Sequence, residues 1–280
     1  ARLPELVDEL AAEWDLEVGP PLLPGGQISW VAPARWSRSD EPLVLKVQLP
    51  HPESDPEAAG LRAWGGDGAV RLHRHDPVRR ALLLERCRPG HAVGEVPGDL
   101  RAAEIGAALG ARLHRATAPA GLPTLASVLD AWADELEGRL DRYGPADPAL
   151  GRSAVATFRD RPRASRRDAL LHGDLNPTNV LSAEREPWLA IDAKPMVGDP
   201  AYDGVRLVTQ PDPLATADAA ATVASRLAVV AEGLGVDRGD LAMWCMAGVV
   251  EMAVSARSHG DHRKAAGIEP ILDLLRGHLP

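Results

Sequence analysis

Leu171-His-Gly-Asp-Leu-Asn-Pro-Thr-Asn-Val-Leu181, followed shortly by Trp188-Leu-Ala-Ile-Asp192, decides how the chain is read. An aspartate (Asp174), an asparagine five positions on (Asn179) and a second aspartate closing an apolar run (Asp192) form a known layout. It binds two Mg²⁺ ions and sets a hydroxyl against ATP. The transferred phosphoryl passes through a loose transition state, so the protein must place and neutralise charge rather than make covalent bonds. In this layout Asp174 lies beside the hydroxyl and takes its proton late. Asn179 offers an amide oxygen to one metal, and the Asp192 carboxylate can touch both, hard oxygen donors being what Mg²⁺ prefers. Pro177 fixes its own φ and pushes Asn176 out of helical geometry, so the segment is a turn from which Val180-Leu181 starts a strand. Singly, Asp and Asn are ordinary turn residues. Their joint spacing is what points to chemistry.

On these residues the chain resembles the aminoglycoside phosphotransferases, antibiotic kinases that share the protein-kinase fold, with His172-Gly173-Asp174 in the place of the catalytic triplet. Leu61–Leu72 and Ala183–Asp203 are similar to the streptomycin 6-kinase branch of that family. The resemblance is firm from Leu43 to Asp203 and fades on either side. It implies an α+β, bilobal, protein-kinase-like fold: a small β-rich nucleotide-binding lobe over residues 1–87 and a larger, mainly helical catalytic and substrate-binding lobe over 88–280. It also implies ATP and Mg²⁺ as cofactors and a small cationic antibiotic as acceptor, streptomycin through its 6-hydroxyl for that branch. One departure is Asn176, where many relatives carry His. The tail that shapes the acceptor pocket also lies outside the firm region. A kinase for another basic antibiotic, such as a tuberactinomycin-type cyclic peptide, or for a small hydroxyl metabolite therefore stays open. So does a catalytically dead kinase fold used as a binding module, although that would predict loss of at least one ionic residue.

Composition sets outer bounds. At 280 residues, 45% hydrophobic and 25% charged, the chain reads as an ordinary globular protein with room for a sizeable core. No run approaches the apolar length of a membrane span, and Ala1-Arg-Leu-Pro-Glu-Leu6 lacks the apolar core of a signal peptide. The expected compartment is the cytoplasm and the expected state a monomer. Cys87 and Cys245 lie far apart and form no metal pattern, which suits reduced, buried thiols. A net charge of −9 argues against nucleic acid and anionic membranes as partners. It favours a cationic ligand only weakly, since mild acidity also serves solubility.

Along the chain, residues 4–14 have helical spacing, and Leu16–Leu23 reads as a strand closed by Pro24-Gly25-Gly26 and paired with Gln27–Val31. This hairpin tip does not match the kinase glycine pattern and reads equally as a plain turn, although Ser29 can donate to a phosphate oxygen. In Leu43–Leu49 the odd positions share an apolar face, which sets Lys46 on the other. In the kinase fold such a lysine meets the α- and β-phosphates and a helical glutamate orients it. Glu57, opening a helical stretch after Pro56, is the candidate, with Glu53 its rival. Val70–Arg74 and Arg80–Glu85 read as further strands, and backbone groups of Glu85 and Cys87 would then bond the adenine. His73 and His75 belong to a turn rather than a metal site. From Asp99 the pattern is helical, and Arg159–Arg167 reads as a basic linker with no assigned role.

Lys194, two residues past Asp192, is placed to contact the γ-phosphate. Asp203 is expected to brace the catalytic loop through backbone hydrogen bonds. The tail shows three helical patterns, Ala217–Glu232, Asp240–Arg257 and Ala265–His278, the middle one apolar almost all round and hence buried. On it Trp244, Gly248, Glu251 and Ser255 share a face, an indole and a carboxylate able to hold a guanidinium or ammonium. The other reading of Glu251 is an ion pair with an arginine of the chain.

Overall fold

The computed structural model describes residues 3–23, 29–51, 56–98 and 100–280. The hairpin tip at 24–28, Glu53 and Asp99 lie outside the described residues.

The chain opens with helix α1 (Leu3–Trp14), then strands β1 (Leu16–Val18), β2 (Ser29–Trp36) and β3 (Leu43–Gln48), helix α2 (Glu57–Trp64), and strands β4 (Leu72–Asp76) and β5 (Ala81–Glu85). These strands make one antiparallel sheet in the order β1-β2-β3-β5-β4. β1 stops at Val18 rather than Leu23 because Pro20 and Pro21 have no N–H for the ladder. The hairpin still continues through Gly19 N–H to Pro33 C=O and Leu22 N–H to Val31 C=O. β3 is central, so both of its edges are paired, and it is buried along nearly its whole length. Leu43, Leu45 and Val47 pack with Leu10 and Trp14 of α1 in a small core, and Lys46 points the other way, towards α2.

The second lobe is built from α3 (Arg101–Leu113), α4 (Leu125–Tyr143), α5 (Pro148–Ala164), the short strands β6 (Ala169–Leu171), β7 (Val180–Ser182), β8 (Trp188–Ala190) and β9 (Met196–Gly198), then α6 (Val205–Thr209), α7 (Ala219–Leu234), α8 (Arg238–Ser258), α9 (His262–Ile268) and α10 (Pro270–Arg276). β6 pairs with β9 and β7 with β8, two small antiparallel ribbons that hold the two acidic loops side by side. Asp or Thr caps begin α4, α5, α7, α8 and α9, each side chain accepting a backbone N–H of the first turn. α8 is long and apolar enough to cross a membrane by length and composition, but it is the core helix of this lobe, packed by α4, α5, α7, α9 and α10.

Three expectations need correction. His73 and His75 lie on strand β4 rather than in a turn. The Arg159–Arg167 segment is helical as far as Ala164, and its arginines pair with the acids of α4: Arg159 with Asp134 and Glu137, Arg163 with Asp130. The last helical pattern is two helices, because Pro270 removes an N–H from the ladder and starts α10 afresh.

Candidate active site

The turn between β6 and β7 carries Asp174, and the backbone around it is tightly set. Gly173 has φ +79°, and a Cβ there would run into the carbonyl oxygen of Lys194, so the chain requires glycine. Lys194 N–H returns a hydrogen bond to His172 C=O at 2.8 Å. Asp203 receives His172 N–H and Gly173 N–H, both at 2.8 Å, as expected, and a further bond from His114 Nε2 at 2.8 Å. Burial opposes charge on Asp203, but the His114 hydrogen bond and neighbouring imidazoles outweigh it and hold the carboxyl below the usual carboxylate range. His172 is fully buried, which depresses its pKa and suits a neutral ring: Nε2 donates to Ile191 C=O at 3.0 Å and Nδ1 accepts Asp174 N–H at 3.3 Å. Trp64 of α2 stacks on it at 6.1 Å.

Asn176 closes the turn. Its Oδ1 accepts Thr178 N–H and hydroxyl and Asn179 N–H, and its Nδ2 donates to Asp174. Asn179 donates Nδ2 to Asp174 C=O at 3.0 Å, which orients its amide and turns Oδ1 away from that bond.

The structure brings Lys46, Glu57 and Asp192 together across the cleft. Lys46 Nζ lies 2.9 and 2.7 Å from the two Glu57 oxygens and 2.6 Å from Asp192 Oδ1. Gln48 Nε2 adds a bond to Glu57 at 2.6 Å. Burial opposes the Lys46 ammonium, but the two carboxylates outweigh it and its pKa is raised. Asp192 is partly buried, and Lys46 more than compensates, so its carboxyl sits low and ionised. Asp192 has φ +55°, a left-handed conformation that few side chains adopt and that aims its carboxylate into the cleft. One amide oxygen and one half-exposed carboxylate on adjacent turns are donors that suit Mg²⁺ completed by phosphate oxygens and water.

Lys194 Nζ lies 3.3 Å from Asp174 Oδ2. Both line a cavity of about 110 Å³ that also reaches Trp132, Arg206, Trp244 and Glu251. Arg206, Glu251 and Met252 are shared with a wider groove of about 740 Å³ running to Asp212, Asp261 and Lys264. Glu251 thus stands at the junction, with its pKa raised by burial against the pull of Arg206 and Arg139. Trp244 is different. It is 0% exposed, its Nε1–H goes to Asp199 at 2.9 Å and its ring meets Tyr202 edge-on at 5.5 Å. It supports the cavity floor instead of offering a face to a ligand, because the polar groups that satisfy its N–H lie inside the lobe. Ser29 is half-buried at the start of β2, opposite Gln48. Glu85 sends its side chain to Arg185, and the Cys87 thiol, half-buried, is pushed up to about 12.

Sequence reasoning missed the charges behind the hinge, the segment after β5 that links the two lobes. Arg185, between β7 and β8, binds both Glu85 oxygens at 2.8 and 2.9 Å and the carbonyls of Gly66 and Ala69 at 2.8 and 3.0 Å. Glu186 joins Arg185 to Arg112, which in turn binds Asp67. Gly60 of α2 lies against the ring of Pro195, so closely that any Cβ would collide with it.

A profile described as aminoglycoside/hydroxyurea antibiotic resistance kinase matches residues 17–260. Streptomycin 6-kinase of Streptomyces griseus is 39% identical over 90% of this chain and 82% of its own length. Hydroxyurea phosphotransferase of Kitasatospora aureofaciens is 38% identical over 89% of this chain and 72% of its own. Among solved structures, choline kinase LicA of Streptococcus pneumoniae superposes with a TM-score of 0.66 over 96% of this chain and 100% of its own, at 12% identity, a likeness of fold.

Proposed function

We propose that this chain, which belongs to the aminoglycoside/hydroxyurea antibiotic resistance kinase family, transfers the γ-phosphoryl group of ATP to a hydroxyl of a cationic antibiotic, streptomycin through its 6-hydroxyl. The observation that carries this reading is the acceptor side: the Asp174 cavity shares Arg206, Glu251 and Met252 with an adjoining groove of about 740 Å³. That volume suits a drug-sized, multi-ring acceptor. Hydroxyurea, at a few heavy atoms, would fill little of it, although its kinase is nearly as similar in sequence as the streptomycin enzyme.

In this reading Lys46 holds the α- and β-phosphates and Glu57 orients it, while Ser29 donates to a phosphate oxygen and the backbone of Glu85 and Cys87 receives the adenine. Asn179 and Asp192 would hold Mg²⁺, which would supply neutralisation of phosphate charge during transfer. Asp174 positions the acceptor hydroxyl and takes its proton. Glu251 meets a cationic substituent of the acceptor. The protein works as a monomer in the cytoplasm.

The test is mass spectrometry of streptomycin, a tuberactinomycin-type peptide and hydroxyurea after incubation with ATP and Mg²⁺. A gain of one phosphate on streptomycin supports the assignment. Phosphate on the peptide or on hydroxyurea alone would move it, and no transfer to any acceptor with no ATP turnover would remove it.

A further inference from the structure

We propose that Lys194 is a catalytic residue whose ammonium spans Asp174 and the γ-phosphoryl group, supplying beside the base a positive charge that Asn176 does not. The inference rests on the reading of Asp174 as the group that positions the acceptor hydroxyl.

The geometry is restrictive. Lys194 Nζ is 3.3 Å from Asp174 Oδ2, while Asn176 Nδ2 takes Oδ1 at 3.2 Å. A hydroxyl bonded to that carboxylate lies roughly 3 Å from it, and phosphorus in an attacking arrangement lies about 3–3.5 Å beyond. An ammonium on the same carboxylate, carried on a flexible four-carbon stem, is then close enough to be brought to the equatorial phosphoryl oxygens.

Its backbone is pinned on three sides. The N–H is held by His172 C=O at 2.8 Å, the carbonyl lies against Gly173, and the next residue is Pro195, seated on Gly60. Only the side-chain stem is left to move. Asn176, by contrast, is used up inside its turn, its carbonyl oxygen accepting from Thr178 and Asn179. Arg206 lines the same cavity but sends Nη1 to Met252 Sδ at 2.7 Å, on the acceptor side.

In the transfer the acceptor oxygen forms a bond to Pγ as the bond from Pγ to the β,γ-bridging oxygen breaks. ADP departs with that electron pair, and the hydroxyl proton passes to Asp174 and then to solvent. Lys194 contacts the equatorial oxygens of the bound nucleotide and holds them more strongly in the transition state, when the transferring group is held by neither full bond.

The experiment compares Lys194→Met and Lys194→Arg by calorimetric binding of ATP and ADP with Mg²⁺, without acceptor, and by turnover with an acceptor. For the methionine variant, ADP affinity stays within about twofold and ATP affinity falls roughly tenfold, the loss of one charged hydrogen bond. Turnover falls about 10²–10³-fold, and arginine restores part of both. Unchanged turnover, or an equal loss of ATP and ADP affinity, would overturn the proposal. Because the nucleotide comparison uses no acceptor, a mistaken acceptor leaves it standing. Full turnover in Asp174→Asn would instead show the underlying reading to be wrong.

Discussion

At the mouth of the cleft Lys46 reaches from β3 to Glu57 and across to Asp192; behind the hinge Arg185 reaches from the β7–β8 turn back to Glu85 and the Gly66 and Ala69 carbonyls. Both join the lobes by charge, yet they are built for different work. At the mouth the Asp192 side chain is 51% exposed, so water, phosphate or a cation can compete for it, while Glu57 is sealed at 2% and keeps its lysine. Behind the hinge Arg185 and Glu85 are 21% and 16% exposed, and backbone carbonyls that no ligand can displace complete the set. A charge with one exchangeable partner is fit for chemistry, and a charge whose partners are all internal is fit for holding a hinge angle. Exposure of the second partner separates them, more than distance does.

Five substitutions break or sharpen this contrast, in falling order of effect. Asp174→Asn leaves both crossings intact and should lower turnover about 10²–10⁴-fold with ATP affinity nearly unchanged, as kcat and nucleotide titration will show. Glu57→Gln removes the sealed partner of Lys46 and should cost about 3 kcal/mol, a fall in Tm of about 5 °C, with a raised KM for ATP. Arg185→Leu should cost about 2 kcal/mol, less because the pair is partly wet, and should leave the KM for acceptor as it was.

Asp203→Asn tests the brace through pH. The native carboxyl is held below its ordinary value, so its contribution is complete above about pH 4 and drains as pH falls towards the native pKa. The asparagine variant should be less stable at neutral pH and show a shallower acid limb in a Tm-against-pH series. Arg159→Ala, on a solvated helix face, should leave Tm where it is.

The fold and much of the site were legible in the sequence because their signals are local. Alternation in β3 set the direction of Lys46, and Pro177 and Gly173 marked the turn that carries Asp174. What stayed hidden depends on partners distant along the chain. Nothing near Arg185 announces Gly66 or Glu85, and nothing near His114 announces Asp203. Helix periodicity placed Trp244 and Glu251 on one face, but Asp199 and Tyr202 cover the indole, a fact of tertiary packing that periodicity cannot contain. The arginines after Phe158 read as linker because charge masked the helical pattern that α4 completes with its acids.

The seat of Gly60 on Pro195 has one more consequence. The helix that presents Glu57 packs directly against the segment that presents Asp192, so a swing of either must break that contact. Many phosphate-transferring switches idle by tilting such a helix outward until a signal restores it. Here that tilt would unseat a proline ring from the glycine beneath it, next to the lysine that faces the base.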